Sequence, residues 1–215
     1  MEKTIMNQRQ IPAWAGMIGA TLFVLVFTIE GWYRPGYKPL EMFVSELSLG
    51  SRGWIQILNF IIFGTLLFVF SWGVAAEFPN GKASRGGPII FRILAVCYFL
   101  SGPFVMDPFY PSYTIHGKLH DILGWIVFLL MPISCFVFLR RFLEDPNWRF
   151  FKWGTLGLGV LSALGVVLLT LAANSTDIRN VFNHQLGLIQ RTIIVSFMLW
   201  IFIFALELLK RSKMN

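Results

Sequence analysis

The sequence predicts an all-α polytopic membrane protein, a single domain over residues 1–215 built as a bundle of six transmembrane helices. Three observations carry that expectation. The chain is 56% apolar and 16% aromatic, with only 13% charged residues. Its apolar residues gather into six runs, each about as long as the roughly 20 residues that cross a hydrocarbon core. Its basic residues fall between those runs and divide unevenly between two sides. Backbone inside lipid has to satisfy its own hydrogen bonds, so the runs are expected to be helices.

The first run, Ile11–Ile29, has a basic flank (Lys3, Arg9) and no small-residue cleavage site, so it reads as an uncleaved anchor. The second and third runs are Trp54–Ala76 and Pro88–Met106; Asp107-Pro108 is expected to stop the third. The fourth, Leu119–Leu139, contains Pro132, a candidate kink. The fifth is Trp153–Ala173. The sixth, Gly187–Leu206, carries Gln190 and Arg191 in its first turn. Cys97 and Cys135 fall inside the third and fourth runs and read as buried free thiols. Asn174-Ser175-Thr176 fits a glycosylation sequon.

Orientation follows from the loops. Eleven Lys and Arg, from Lys3 and Arg9 through Lys210, Arg211 and Lys213, flank one side. Arg34, Lys38, Arg52, Lys118, Arg179 and Arg191 flank the other, while Arg92 lies one turn inside the third run. The side richer in Lys and Arg is cytoplasmic, which places both termini there in a cell-membrane protein. The net charge of +7 is therefore a topology signal. The basic residues are scattered over short loops, so no nucleic-acid partner is implied; membrane lipids are. Trp32, Tyr33, Tyr37, Trp54, Phe109 and Tyr110 are expected in an outer aromatic belt, and Trp148, Phe150, Phe151 and Trp153 in an inner one.

The chemistry concentrates on the outer side, where all three histidines and six of the eleven acids fall. In the first outer segment, Pro39 and Gly50 can bracket a short helix. Leu40, Phe43, Val44 and Leu47 share one stripe of it, and Glu41, Ser45 and Ser48 the opposite one, the pattern of an amphipathic interfacial helix. Glu46 breaks the pattern. It either snorkels to water or turns inward to meet an Arg or His, with Arg34 in "RPGY" as one candidate partner. In the second segment His116 and His120 are spaced i, i+4, which puts both imidazoles on one helical face. Asp121 favours the helix dipole, and Asp107 is the candidate for orienting a histidine. In the third segment His184 precedes Arg191. Arg191 either binds lipid phosphate or faces the bundle interior, and there Glu46 and Asp107 are its expected partners.

These motifs together resemble a family of prokaryotic six-span membrane proteins catalogued as domain of unknown function 998. The matching elements are "RPGYKPLEMFVSELSLG", "FVMDPFYP", "HGKLHD" and "HQLGLIQR", in that order relative to the runs. The resemblance covers nearly the whole chain; it implies a six-helix bundle and leaves the activity open. The inventory of Ser45, Asp107, His116, His120 and His184 is also similar to that of the alkaline ceramidase and adiponectin-receptor hydrolases, where three His bind zinc. That superfamily has seven core spans, pairs its histidines in the last one and faces the cytoplasm.

Two function classes follow. One is binding, sensing or transport of a lipid headgroup, small ligand or proton in an outward-facing pocket of Arg34, Glu46, Asp107, His120, His184 and Arg191, with His120 and His184 converging beside Asp107. The other is a metal-dependent hydrolase acting on a lipid. In it His116, His120 and His184 would hold zinc, with Asp107, Glu46 or Ser45 as catalytic candidates. Haem ligation by His120 and His184 is disfavoured, because no histidine lies on the inner side for a second site.

Overall fold

A computed structural model of the protein describes residues 10–108 and 111–212. Among the described residues the chain is helical, with seven α-helices and no strand. They are α1 Gln10–Tyr33, α2 Gly53–Glu77, α3 Gly86–Leu100, α4 Ile115–Glu144, α5 Lys152–Asn174, α6 Thr176–Phe182 and α7 Leu186–Ser212. Helices α1, α2, α4, α5 and α7 are long and apolar enough to cross a membrane, α5 together with the 3₁₀ turn that precedes it; α3 is apolar but shorter. The lengths explain one difference from expectation. The third run was expected to stay helical to Met106, yet α3 ends at Leu100. Ser101-Gly102-Pro103 is the cause: proline has no N–H to continue the ladder and disfavours helical backbone at the residue before it.

Each long helix packs on its neighbour in the chain, and α5 against α7 and α7 against α1 close the circuit. Helix α7 also reaches toward the middle. Its Phe204 meets Phe70 of α2, Phe91 of α3, and Phe138 and Phe142 of α4 at ring-centroid distances of 5.0–6.3 Å. Phe78, Trp148 and Trp200 complete this aromatic block, all 1% exposed or less. Trp148 is therefore core, as is Phe151, rather than part of an inner aromatic belt; Phe150 and Trp153 are exposed. At the opposite end Trp32, Tyr33 and Trp54 are exposed, while Tyr37 is buried. Phe109 and Tyr110 lie outside the described residues, as do Lys3, Arg9 and Lys213. Cys97 and Cys135 are buried free thiols.

The end of the bundle that carries the histidines is built differently from the aromatic end. The segment between α1 and α2 forms turns and one short 3₁₀ helix, Val44–Ser48, where an amphipathic α-helix over residues 39–50 was expected. Val44 and Leu47 are buried, but Leu40 is 56% exposed, so the expected stripe does not act as one face. The reason lies in the anchors. Arg34 donates to the carbonyls of Glu46, Leu47 and Leu49, and Gln190 Oε1 accepts from Val44 N at 2.7 Å. Tertiary bonds satisfy the backbone groups that an α-helix would have paired internally.

Candidate functional site

A cavity of about 290 Å³ opens at the histidine-bearing end. Six elements wall it. The 3₁₀ turn brings Ser45 and Glu46; the stretch after α3 brings Met106, Asp107 and Pro108. Helix α4 contributes His120, Asp121, Gly124, Trp125 and Phe128. Leu169, Ala172, Ala173, Arg179, Leu186 and Gln190 close the far side. Charged and apolar groups thus face one space.

Asp107 is 6% exposed and accepts three hydrogen bonds, from Tyr113 N (2.8 Å), Thr114 N (2.8 Å) and Thr114 Oγ1 (2.7 Å). These donors satisfy the carboxylate where burial takes water away from it. Thr114 in turn caps α4 by accepting from Gly117 N at 3.0 Å. Asp107 therefore anchors the start of α4 as an anion, a poor assignment for a general base.

Glu46 has the opposite character. Its Oε1 accepts from Phe43 N at 2.7 Å, closing the 3₁₀ turn. Burial pushes its carboxyl above the usual 4.5, against the pull of that bond, Arg191 and Arg34.

His120 is 8% exposed, and its Nδ1 lies 2.8 Å from the Phe104 carbonyl. A carbonyl only accepts, so Nδ1 carries the proton and Nε2 of the neutral ring is an acceptor.

The other expected members stand apart. Arg191 makes no ion pair among the described residues. It donates to the carbonyls of Met42 (2.7 Å) and Gly187 (3.1 Å) and to the Tyr37 hydroxyl, and lies over the Tyr37 ring. The expected pairing with Glu46 or Asp107 is replaced by backbone carbonyls, whose oxygens accept the guanidinium's hydrogen bonds without a second charge. Arg34 and Arg191 are thus staples that hold the 34–49 segment. His184 is 74% exposed in its side chain and pairs with Glu41 at 3.2 Å; His116 is exposed and sits against the Phe104 ring at 5.5 Å. Neither lines the cavity with His120 and Asp107. Among the described residues no group of three or more His, Cys, Asp or Glu is placed to hold a metal ion. The His116, His120 and His184 zinc set does not fit: helix spacing aligned the first two in principle, but His120 turns inward and His116 outward.

Sequence reasoning missed Arg179 and Trp125 as cavity residues and weighed Asp121 and Gln190 only locally. Arg179 had a signal. Ser175-Thr176-Asp177 is a helix start, Ser175 accepts from Ile178 N, and the resulting α6 carries Arg179 to the cavity wall, where it donates to the Ala172 carbonyl at 3.2 Å.

The family model described as a protein of unknown function (DUF998) matches residues 17–207. The chain belongs to this family. The match runs from α1 to α7, so the cavity is formed wholly within the DUF998 region. No curated protein and no solved structure matches the chain.

Proposed function

We propose that this DUF998 chain is a six-span protein of the cell membrane, with both termini cytoplasmic and the histidine-bearing end outward, and that its outer cavity binds an amphiphile: a lipid headgroup with the adjoining apolar part, or a small molecule of that character. Helix α3, at about 22 Å for 15 residues, needs the stretch after it to complete a span. Irregular backbone at membrane depth is tolerated where it lines a cavity, and Ser101, Met106 and Asp107 line cavity space.

The observation that carries the reading is the composition of one cavity wall. Glu46, Asp107, Asp121, Arg179 and Gln190 share it with Phe43, Trp125, Phe128, Leu169 and Leu186. Polar groups fix orientation there and apolar groups supply burial. Gly124 provides the test, since it lines the cavity and a Cβ added there meets no atom within 4 Å, leaving room for a larger side chain to grow into the space. Wild-type protein extracted in mild detergent should retain lipid or a small amphiphile by native mass spectrometry. Gly124→Phe should retain at least tenfold less while melting no earlier. Equal retention by both proteins would sink the proposal.

A further inference from the structure

Beneath the outer cavity lies a narrower chamber of about 50 Å³. The two share Ser45, His120, Gly124, Phe128 and Gln190 and so adjoin one another. Their chemistry differs. No Asp, Glu, Lys or Arg lines the chamber, and Phe23, Phe60, Val127 and Ile194 make up much of its wall.

The chamber contains one unsatisfied group. Tyr98 is 3% exposed, and its hydroxyl has no hydrogen-bond partner among the described residues. Its ring is fixed by edge contacts with Phe23 at 5.4 Å and Phe63 at 4.6 Å, so it cannot swing to another acceptor. A buried donor without an acceptor is costly, and such a group calls for a ligand or a water.

His120 supplies the complementary half. Its Nδ1 is committed to the Phe104 carbonyl. That leaves Nε2 with a lone pair to fill. Tyr98 has a proton to give, and the two do not bond each other. A hydroxyl accepts from one and donates to the other. An ether or carbonyl would leave His120 unfilled. A carboxylate would enter a chamber without a cation, and an ammonium would leave Tyr98 without an acceptor.

We propose that the chamber is a hydroxyl-binding subsite, and that the amphiphile in the outer cavity seats a neutral alcohol between Tyr98 and His120. This rests on the cavity being a ligand site. Water offers the same chemistry, so the experiment has to separate the two sources. The full chain in lipid nanodiscs is photolabelled with a diazirine-bearing octanol, and labelled residues are mapped by mass spectrometry. Competition by 1-octanol is compared with competition by 1-methoxyheptane, which has as many heavy atoms but no hydroxyl proton. Label is expected on chamber residues, with octanol competing about tenfold better, the worth of one hydrogen bond. Tyr98→Phe, which removes only a hydroxyl without a protein partner, should abolish that preference without lowering the melting temperature. Label in the outer cavity alone, or equal competition in the wild type, would assign the chamber to water and overturn the hydroxyl inference while the cavity reading stands. No label in either space overturns both.

Discussion

Gly187→Ala adds one methyl group where the backbone of another segment already lies. The new Cβ would meet the Met42 carbonyl, the Pro39 oxygen at 2.6 Å and the Met42 nitrogen at 2.9 Å. Ordinary carbon–oxygen contacts begin near 3.3 Å, so the segment has to retreat by about 0.7 Å or more. All these neighbours are main-chain atoms and cannot rotate away. Retreat strains Leu188 N to Leu40 O (2.9 Å) and Arg191 Nη1 to Met42 O (2.7 Å). Losing them costs about 1 and about 2 kcal/mol, the second being charge-assisted. Overpacking adds about 1 kcal/mol, and alanine in the helix returns up to about 1 kcal/mol. The net loss is about 3 kcal/mol, or a fall in melting temperature of roughly 6–12 °C for a chain of this size. Gly124→Ala is the control. Its Cβ meets nothing, so helix propensity alone should raise melting by about 2–4 °C. Both are read by fluorescence-detected size exclusion after heating in detergent. If Gly187→Ala melts with the wild type while Gly124→Ala shifts as expected, the close approach of α7 to the 37–48 segment is refuted.

Lys38 and Arg85 are exposed at opposite ends of the bundle; Lys38→Cys should react with a membrane-impermeant maleimide in intact cells and Arg85→Cys only after permeabilisation, and the reverse pattern would invert the topology. Glu46 has its pKa raised by burial, so the folded state binds its proton more tightly than the unfolded chain, and wild-type stability falls as pH rises from about the ordinary 4.5 through the raised value. Glu46→Gln keeps the oxygen that accepts from Phe43 and should flatten that slope; identical pH–stability curves would show that Glu46 is solvated as an ordinary carboxyl.

The long helices were legible because lipid imposes one simple rule, a run of apolar residues of fixed length. The ends of α2 and α5 fall within a residue of the expected runs. The stop at Leu100 was also written in the chain, as Gly102-Pro103, but the hydropathy of the surrounding residues hid it. The site was half legible. Glu46, Asp107 and His120 do meet at one cavity, because polar residues at the rim of an apolar bundle have few places to go. Arg34 and Arg191 were expected to meet a carboxylate because charge in a sequence suggests an opposite charge, whereas the folded chain offers them backbone carbonyls; His184 was expected beside Asp107 and instead pairs with the half-buried Glu41. Tyr98 gave no sign at all, since a tyrosine in an apolar run looks like any other aromatic until its hydroxyl is found without a partner.

The aromatic block around Phe204 has a consequence for traffic. Rings from α2, α3, α4 and α7 interlock across the bundle, and they do so at the end away from the cavity. The space is thus a cup with a sealed base. A molecule that enters at the histidine-bearing end leaves by the same door or sideways into the bilayer. Through-passage would require α7 to withdraw from its neighbours and part a stack of side chains that are among the most deeply buried in the protein. The resting arrangement is closed at that end, and any conveyance across the membrane would have to be driven by a force large enough to open the base.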